Sequence, residues 1–156
     1  KGVVENKTVI LIIDEAQNLK PRLLEQVRLL SNLETEKDKL LQVVLVGQPE
    51  LNQKLNLYDL RQLRQRIMVR FHIAPLEKDE IKDYINHRLN ISGSSRVHFT
   101  DEAIEVISGF SSGTPRLINM LCDRALLAGF VAETNTIDLD ILERCVEELD
   151  AYFVAK

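Results

Sequence analysis

The chain is poor in the residues that build disulfide-rich or metal-centred domains. Its 156 residues include no tryptophan, two cysteines and only 5% aromatic side chains. Cys122 and Cys145 stand far apart within helix-like patterns, which predicts buried free thiols in a reducing compartment. His72, His87 and His98 have neither a paired helical spacing nor cysteine neighbours. The sequence therefore favours neither a disulfide framework nor a zinc site.

Long apolar runs and a strong excess of one charge are also missing. The longest apolar run is Val9–Ile13, whereas a membrane-spanning helix needs about 18 apolar residues. The 20 basic and 24 acidic side chains leave a net charge of -4, and 45% of the residues are hydrophobic, which is ordinary composition for a soluble globular protein. Because there is no initiator methionine and no secretion signal, we expect Lys1 to be an internal cut of a longer polypeptide.

The first half of the chain alternates strand-like and helix-like patterns. Val9–Ile13 is apolar at every position, which predicts a central strand covered by helices on both sides. Pro21 then opens an amphipathic helix, a charged loop follows at 34–39, and a second buried strand is predicted over 42–46. This order of elements is typical of a βαβ unit with parallel strands.

The pattern changes near residues 75–77. Residues 51–66 predict one or two short helices, and residues 67–74 alternate apolar and polar side chains like a third strand. Beyond that point helical patterns take over. We therefore predict an α/β domain over 1–75, followed by an all-helical domain over 76–156.

Two acidic residues follow the first predicted strand directly. In open α/β sheets, ligands bind at the carboxyl ends of the strands, and Asp14 and Glu15 stand at that place. An aspartate there can hold Mg²⁺, and a neighbouring glutamate can polarise a water for attack on a phosphoryl group. Acidic residues also end strands simply to meet solvent, so the pattern alone leaves both interpretations open.

Other polar residues could serve the same site. Gln48 follows the second predicted strand, where its amide could orient water or contact a terminal phosphate, although taken alone the residue is better explained as part of a plain turn. Arg61, Arg64, Arg66 and Arg70 form a basic stretch that fits an arginine finger, a nucleic-acid contact or a solvated helix face.

Arg116 breaks a local electrostatic rule. It stands in the first turn of a predicted helix, whose N-terminus is already positive, and it would gain from a nearby phosphate or from pairing with Glu102 or Glu105. The phosphate-binding loop Gly-x-x-x-x-Gly-Lys-[Ser/Thr] occurs nowhere in the 156 residues. We therefore expect no nucleotide hydrolysis from this chain alone.

Five motifs resemble, in order, successive motifs of AAA+ ATPases. They are ILIIDEAQNL at 10–19, RLLSNLET at 28–35, VLVGQPEL at 44–51, LRQLRQRI at 60–67 and GTPRLIN at 113–119. Within that superfamily, the sequences of these motifs are most similar to those of ExeA-type accessory ATPases of the general (type II) secretion pathway. They are also similar to those of ATPases encoded with exopolysaccharide loci. The resemblance covers about residues 8–130. It implies a partial AAA+ P-loop core of parallel strands, followed by a helical lid.

The resemblance also implies a role for each residue singled out above. Asp14 matches the Walker B carboxylate that holds Mg²⁺, and Glu15 matches the catalytic base. Gln48 falls at the position called sensor 1, and Arg116 falls at sensor 2 of the lid. Arg66 is the best match to the arginine finger, with Arg64 and Arg61 as close seconds.

At the level of the whole protein, the resemblance implies binding of ATP and Mg²⁺ at the interfaces of a homo-oligomer. Hydrolysis would drive assembly or remodelling of secretion-apparatus or cell-envelope proteins. It further implies a cytoplasmic location, at the inner face of the bacterial inner membrane, with membrane association only through regions outside this chain.

Two other classes of function stay open at this stage. AAA+ relatives in transposition and initiation carry similar motifs, and residues 99–130 could form a helix-turn-helix, so a DNA-associated regulator is the second class. The acidic tail at 133–150 argues against nucleic-acid binding. A nucleotide-free interaction module, which keeps the fold without the phosphate loop, is the third class.

Overall fold

The computed structural model describes residues 9–31, 41–94 and 96–154. The chain divides into two compact units, Lys1–Phe71 and His72–Lys156. The first unit carries a parallel sheet and short helices, and the second is mainly helical. The predicted α/β class with parallel strands is therefore confirmed, whereas the predicted loop at 34–39 lies outside the described residues.

Among the described residues of the first unit, two parallel strands form a sheet. Strand β1 spans Val9–Ile13, as predicted, and β2 spans Leu41–Leu45, one residue earlier than predicted. Their register pairs Val9 with Leu41 and Ile13 with Leu45. Because the strands are parallel and in full register, their carboxyl ends lie side by side.

The prediction that helices cover β1 on both faces is wrong for the described residues. Leu11 and Ile13 are half-buried, but Ile10 and Ile12 on the opposite face are 56% and 64% exposed. Strand β2 repeats this alternation. An apolar sequence shows that each side chain favours a buried environment. Burial itself also requires another element packed on each face of the strand, and the described helices cover one face.

Short helices complete the first unit. Helix α1 spans Pro21–Leu30, α2 spans Glu50–Leu55 and α3 spans Arg61–Arg66, with 3₁₀ turns at Ala16–Asn18 and Tyr58–Leu60. Their apolar sides share one small core with the ends of the strands. Its buried members are Ala16, Leu24, Leu51, Leu55, Leu60 and Leu63.

The predicted third strand over 67–74 is not formed. These residues belong to no strand, and Met68, Val69, Phe71 and Ile73 are each more than 80% exposed. An alternating sequence indicates β-propensity, but a strand exists only where a second strand pairs with its backbone. Within the described part of this unit, β1 pairs with β2 and neither pairs with 67–74.

The second unit contains four helices in its described part, 72–94 and 96–154. Helix α4 spans Lys78–Ile91, α5 spans Asp101–Ser111, α6 spans Pro115–Val131 and α7 spans Leu139–Val154. Two short parallel strands, β3 at His98–Phe99 and β4 at Thr136–Ile137, tie the connections together. None of the described helices is both long enough and apolar enough to cross a bilayer.

The helix signals in the sequence explain this unit well. Ile81, Ile85 and Leu89 form an apolar stripe along α4 and are buried in the main core. The Thr100 hydroxyl accepts a hydrogen bond from Ala103 N at 3.2 Å and so caps α5. Pro115 occupies the first turn of α6, a position that its fixed φ favours.

A tight turn between α5 and α6 holds the segment that leads into α4. Gly113 has φ +76° and is buried, and its carbonyl accepts a hydrogen bond from Leu76 N at 2.9 Å. A Cβ at this position would lie 2.1 Å from the Leu76 carbonyl oxygen. The buried Ser111 Oγ accepts the Gly113 N–H at 3.2 Å. The turn therefore needs glycine both for its backbone angle and for its close approach to Leu76.

Replacing Gly113 by alanine should destabilise the second unit by roughly 2–4 kcal/mol, because the added Cβ overlaps Leu76 and the positive φ becomes strained. Chemical unfolding followed by circular dichroism measures the change. Gly109→Ala is the matched control, since this exposed helical glycine has open space around its Cα and should gain about 0.5–1 kcal/mol. Equal stabilities of the two variants would contradict the packing described for Gly113.

Both cysteines are free thiols, as predicted; Cys145 is buried and Cys122 half-buried. Burial raises the pKa of Cys122 to about 12 and also raises the pKa of Cys145. Because the thiolate is the reactive form, both thiols should react with a disulfide reagent more slowly at pH 8 than in the urea-unfolded chain, and Cys122 should react more than roughly a hundredfold more slowly. A stoichiometric thiol titration of native and unfolded protein tests this. Immediate reaction of both native thiols would overturn it.

Candidate functional site

The candidate site lies where β1 and β2 end. Asp14 and Glu15 follow β1 and are exposed, and the Asp14 Oδ1 accepts the Glu15 N–H at 2.8 Å. Glu15 has φ +52° and ψ +35°, a left-handed conformation that costs a non-glycine residue roughly 1–2 kcal/mol. At this turn the chain leaves the direction of β1. The two carboxylates therefore lie at the edge of the sheet where a ligand was predicted to bind.

Backbone hydrogen bonds join the loops beyond the two strands. Val46 N donates to the Ile13 carbonyl and Ala16 N donates to the Val46 carbonyl, both at 2.9 Å. The ladder thus continues for one step past the strand ends. Because of these bonds, the strained turn at Glu15 is held against the segment that leads to Gln48.

A glutamine side chain connects the two loops a second time. Gln17 Nε2 donates to Glu15 Oε2 at 2.5 Å, and Gln17 Oε1 accepts the Gln48 N–H at 3.1 Å. Asn18 Nδ2 lies 3.4 Å from the same Glu15 oxygen. The predicted Walker B glutamate and the predicted sensor 1 residue are therefore brought together through Gln17.

Two further residues make this arrangement possible. A Cβ on Gly47 would lie 2.6 Å from Gln17 Oε1, so only glycine leaves room for the amide at this place. The Lys54 ammonium, on α2, donates to the Gln17 carbonyl and, at 2.9 Å, to the Leu19 carbonyl. These carbonyls end the 3₁₀ turn Ala16–Asn18, where a cation is favoured.

The three candidate finger arginines lie on α3 and are exposed. The Arg61 guanidinium stacks over the Tyr58 ring at 4.5 Å, and Arg64 Nη1 donates to Asn56 Oδ1 at 3.2 Å. Arg66 is the last residue of α3. Arg61 and Arg64 thus both make contacts within their own unit. The choice among the three stays a prediction.

Arg116 lies in the second unit and is exposed in the first turn of α6. Of the two carboxylates considered as its partners, Glu105 accepts the Lys78 ammonium instead. The structure brings together Asp14, Glu15 and Gln48 in the first unit, whereas Arg116 belongs to the second unit. Its assignment as sensor 2 stays a prediction.

The donor set suits a magnesium ion that arrives with a nucleotide and does not suit a metal enclosed by protein. Within residues 9–31, 41–94 and 96–154, no three His, Cys, Asp or Glu side chains cluster to hold a metal ion. Asp14 offers one exposed carboxylate at the strand end. Mg²⁺ is commonly held by one or two carboxylates together with waters and substrate phosphates, so Asp14 fits that role.

Sequence reasoning missed Gln17, Gly47 and Lys54. Gln17 stands two residues after Glu15 inside the same motif, and Gly47 stands beside Gln48, so their positions were visible. Their roles were not, because the bonds of Gln17 to Gln48 and of Lys54 to Gln17 join residues 31 and 37 positions apart. Only a known strand register brings such residues together.

Comparisons with known proteins agree with this architecture. The family model described as "AAA domain" matches residues 1–55. The chain is 49% identical over 136 residues to general secretion pathway protein A of Aeromonas hydrophila. The match covers 87% of this chain and 25% of that protein, so the chain spans about a quarter of the length of its curated relative.

Solved structures of RuvB from Thermotoga maritima share the fold. One mutant form matches with a TM-score of 0.71 and 22% identity, over 90% of this chain and 44% of RuvB. The structure titled "RuvB Holliday junction branch migration motor" matches with a TM-score of 0.64 and 22% identity, over the same shares. At this identity the likeness concerns the fold alone.

The contacts of Lys54 lead to a prediction about the site loop. Lys54→Met removes two charge-assisted hydrogen bonds to carbonyls and should lower the local stability of residues 15–19 by about 1.5–3 kcal/mol. Hydrogen exchange of the amides in this loop measures the change. Gln53→Met, at an exposed neighbouring position of α2, should change it by less than about 0.5 kcal/mol. Unchanged exchange in the Lys54 variant would show that the loop is held by other contacts.

Proposed function

The chain belongs to the AAA+ family and is a homologue of general secretion pathway protein A, and from this premise we propose that it forms part of an ATPase of that pathway. The observation that carries the proposal is the joining of Asp14, Glu15 and Gln48 at one sheet edge. The proposed reaction is hydrolysis of ATP to ADP and phosphate. Its energy would drive assembly or remodelling of secretion-apparatus or cell-envelope proteins.

The proposed chemistry assigns each residue of the site one task. Asp14 would hold Mg²⁺, which when bound neutralises charge on the phosphate oxygens. Glu15 would take a proton from the water whose oxygen attacks the terminal phosphorus, while the bond to the oxygen bridging to ADP breaks. Gln48 would orient that water or contact the terminal phosphate. The exposure of Asp14 and Glu15 leaves both carboxylates accessible to a nucleotide.

The proposal extends to residues that act from other parts of an assembly. Arg66 would reach the nucleotide of a neighbouring subunit, where a guanidinium neutralises charge that grows in the transition state. Arg116 would approach the same kind of nucleotide from the helical unit. Its place in the first turn of α6, where a cation is unfavourable without an anion nearby, supports this assignment.

The likeness to RuvB does not extend the proposal to DNA. The relation is fold-level at 22% identity, and the chain has a net charge of -4. Duplex binding draws most of its affinity from basic side chains that displace counterions. The secretion homologue, at 49% identity, is the stronger guide to function.

Replacing Glu15 by glutamine tests the proposal. The full-length gene product should lose ATP turnover by about 10²–10⁴-fold, because the amide cannot accept the proton from water, while ATP affinity should remain. Phosphate release and binding of a fluorescent ATP analogue measure the two effects. Glu50→Gln, at an exposed carboxylate of α2, is the matched control and should retain turnover. Wild-type turnover in the Glu15 variant would refute the proposed base.

A further inference from the structure

We infer that Gln17 is a positioning residue, which fixes the carboxylate of Glu15 and ties its orientation to the backbone at Gln48. The two hydrogen bonds of its side-chain amide are called the Gln17 bridge below. The catalytic part of this inference rests on the proposed function, in which Glu15 is the base. The bridge itself is a structural contact, which can be tested without any turnover.

On one side the bridge restrains Glu15. The bond from Gln17 Nε2 engages Glu15 Oε2 at 2.5 Å, which is short for an N–H donor and a charged acceptor. A carboxylate has two oxygens with about four acceptor sites in total. Glu15 can therefore be held through one oxygen and still accept a proton from water. An exposed glutamate would otherwise sample many rotamers, so this bond selects one.

On the other side the bridge is anchored to the second strand. Gln17 Oε1 accepts the backbone N–H of Gln48, and the Gln17 carbonyl accepts the Lys54 ammonium. The glutamine is thus fixed through its backbone as well as its side chain. Gly47 provides the space for the amide, since a Cβ there would overlap Oε1.

This geometry makes the amide specific. An amide side chain, as in glutamine or asparagine, offers a donor to the carboxylate and an acceptor to the backbone N–H from one group. A leucine of similar size offers neither. A glutamate would keep the acceptor for Gln48 but would replace the donor by a second negative charge beside Glu15.

The chemical consequence is a coupling between the two sides of the site. A movement of the loop at Gln48, where we propose that the terminal phosphate is sensed, pulls on Gln17 and so on the carboxylate of Glu15. Small displacements of a catalytic group have large effects on rate, on the order of 10²-fold for about 1 Å. Gln17 thereby helps to set when Glu15 is aligned.

Steady-state kinetics of two Gln17 variants test the catalytic part. In the full-length gene product, Gln17→Leu should lower kcat by about 10–100-fold and change KM for ATP by less than about threefold, because it misaligns the base without removing a phosphate contact. Gln26→Leu, at an exposed glutamine of α1, is the control and should retain wild-type kcat.

Gln17→Glu gives a readout that a purely structural role would not move. Two adjacent carboxylates cannot both ionise easily, so one pKa rises and the acid limb of the pH profile of kcat/KM should move up by roughly one unit or more. A wild-type kcat in Gln17→Leu, or an unmoved pH profile in Gln17→Glu, would overturn the inference.

A measurement on the wild-type protein separates this inference from the proposed function. With glutamine labelled by ¹⁵N, the side-chain amide signal of Gln17 should follow the titration of one carboxylate, and this response should vanish in Glu15→Gln. The Gln48 amide should exchange faster in Gln17→Leu. If ATP is not hydrolysed but the titration is seen, the ATPase proposal fails and the bridge stands. If the titration is absent, the bridge is refuted.

Discussion

The parallel pairing of β1 with β2 is the constraint on which the candidate site depends. Parallel strands in register end at the same edge of the sheet, so the residues that follow them must meet there. Antiparallel pairing would send Glu15 and Gln48 to opposite edges. The two hydrogen bonds beyond the strand ends, from Val46 and from Ala16, carry this pairing into the loops.

At the candidate site, hydrogen bonds hold a residue whose backbone conformation is strained. Glu15 adopts a left-handed backbone that a glutamate does not favour. Three groups hold it there: its own N–H bonded to Asp14, the neighbouring Ala16 N–H bonded to Val46, and its carboxylate bonded to Gln17. Exposed acidic side chains are thus kept in one arrangement by short polar contacts, although no apolar core surrounds them.

In the helical unit, the main structural constraint is the turn between α5 and α6. Its core is large, and its helix ends are capped by Thr100 and by the Glu77–Glu80 capping box. The close contact of Gly113 with Leu76 joins the start of the unit to the beginning of α6. Any role of Arg116 at a nucleotide depends on that turn, because Arg116 stands three residues after Gly113.

The amino-acid sequence by itself determined the fold class and the position of β1, because these follow from local spacing and backbone preference. It also identified Asp14, Glu15 and Gln48 as site candidates. The tertiary structure alone decided that 67–74 forms no strand and that one face of β1 is exposed, since pairing and burial need a second element. It alone revealed Gln17, Gly47 and Lys54, because their contacts depend on strand register.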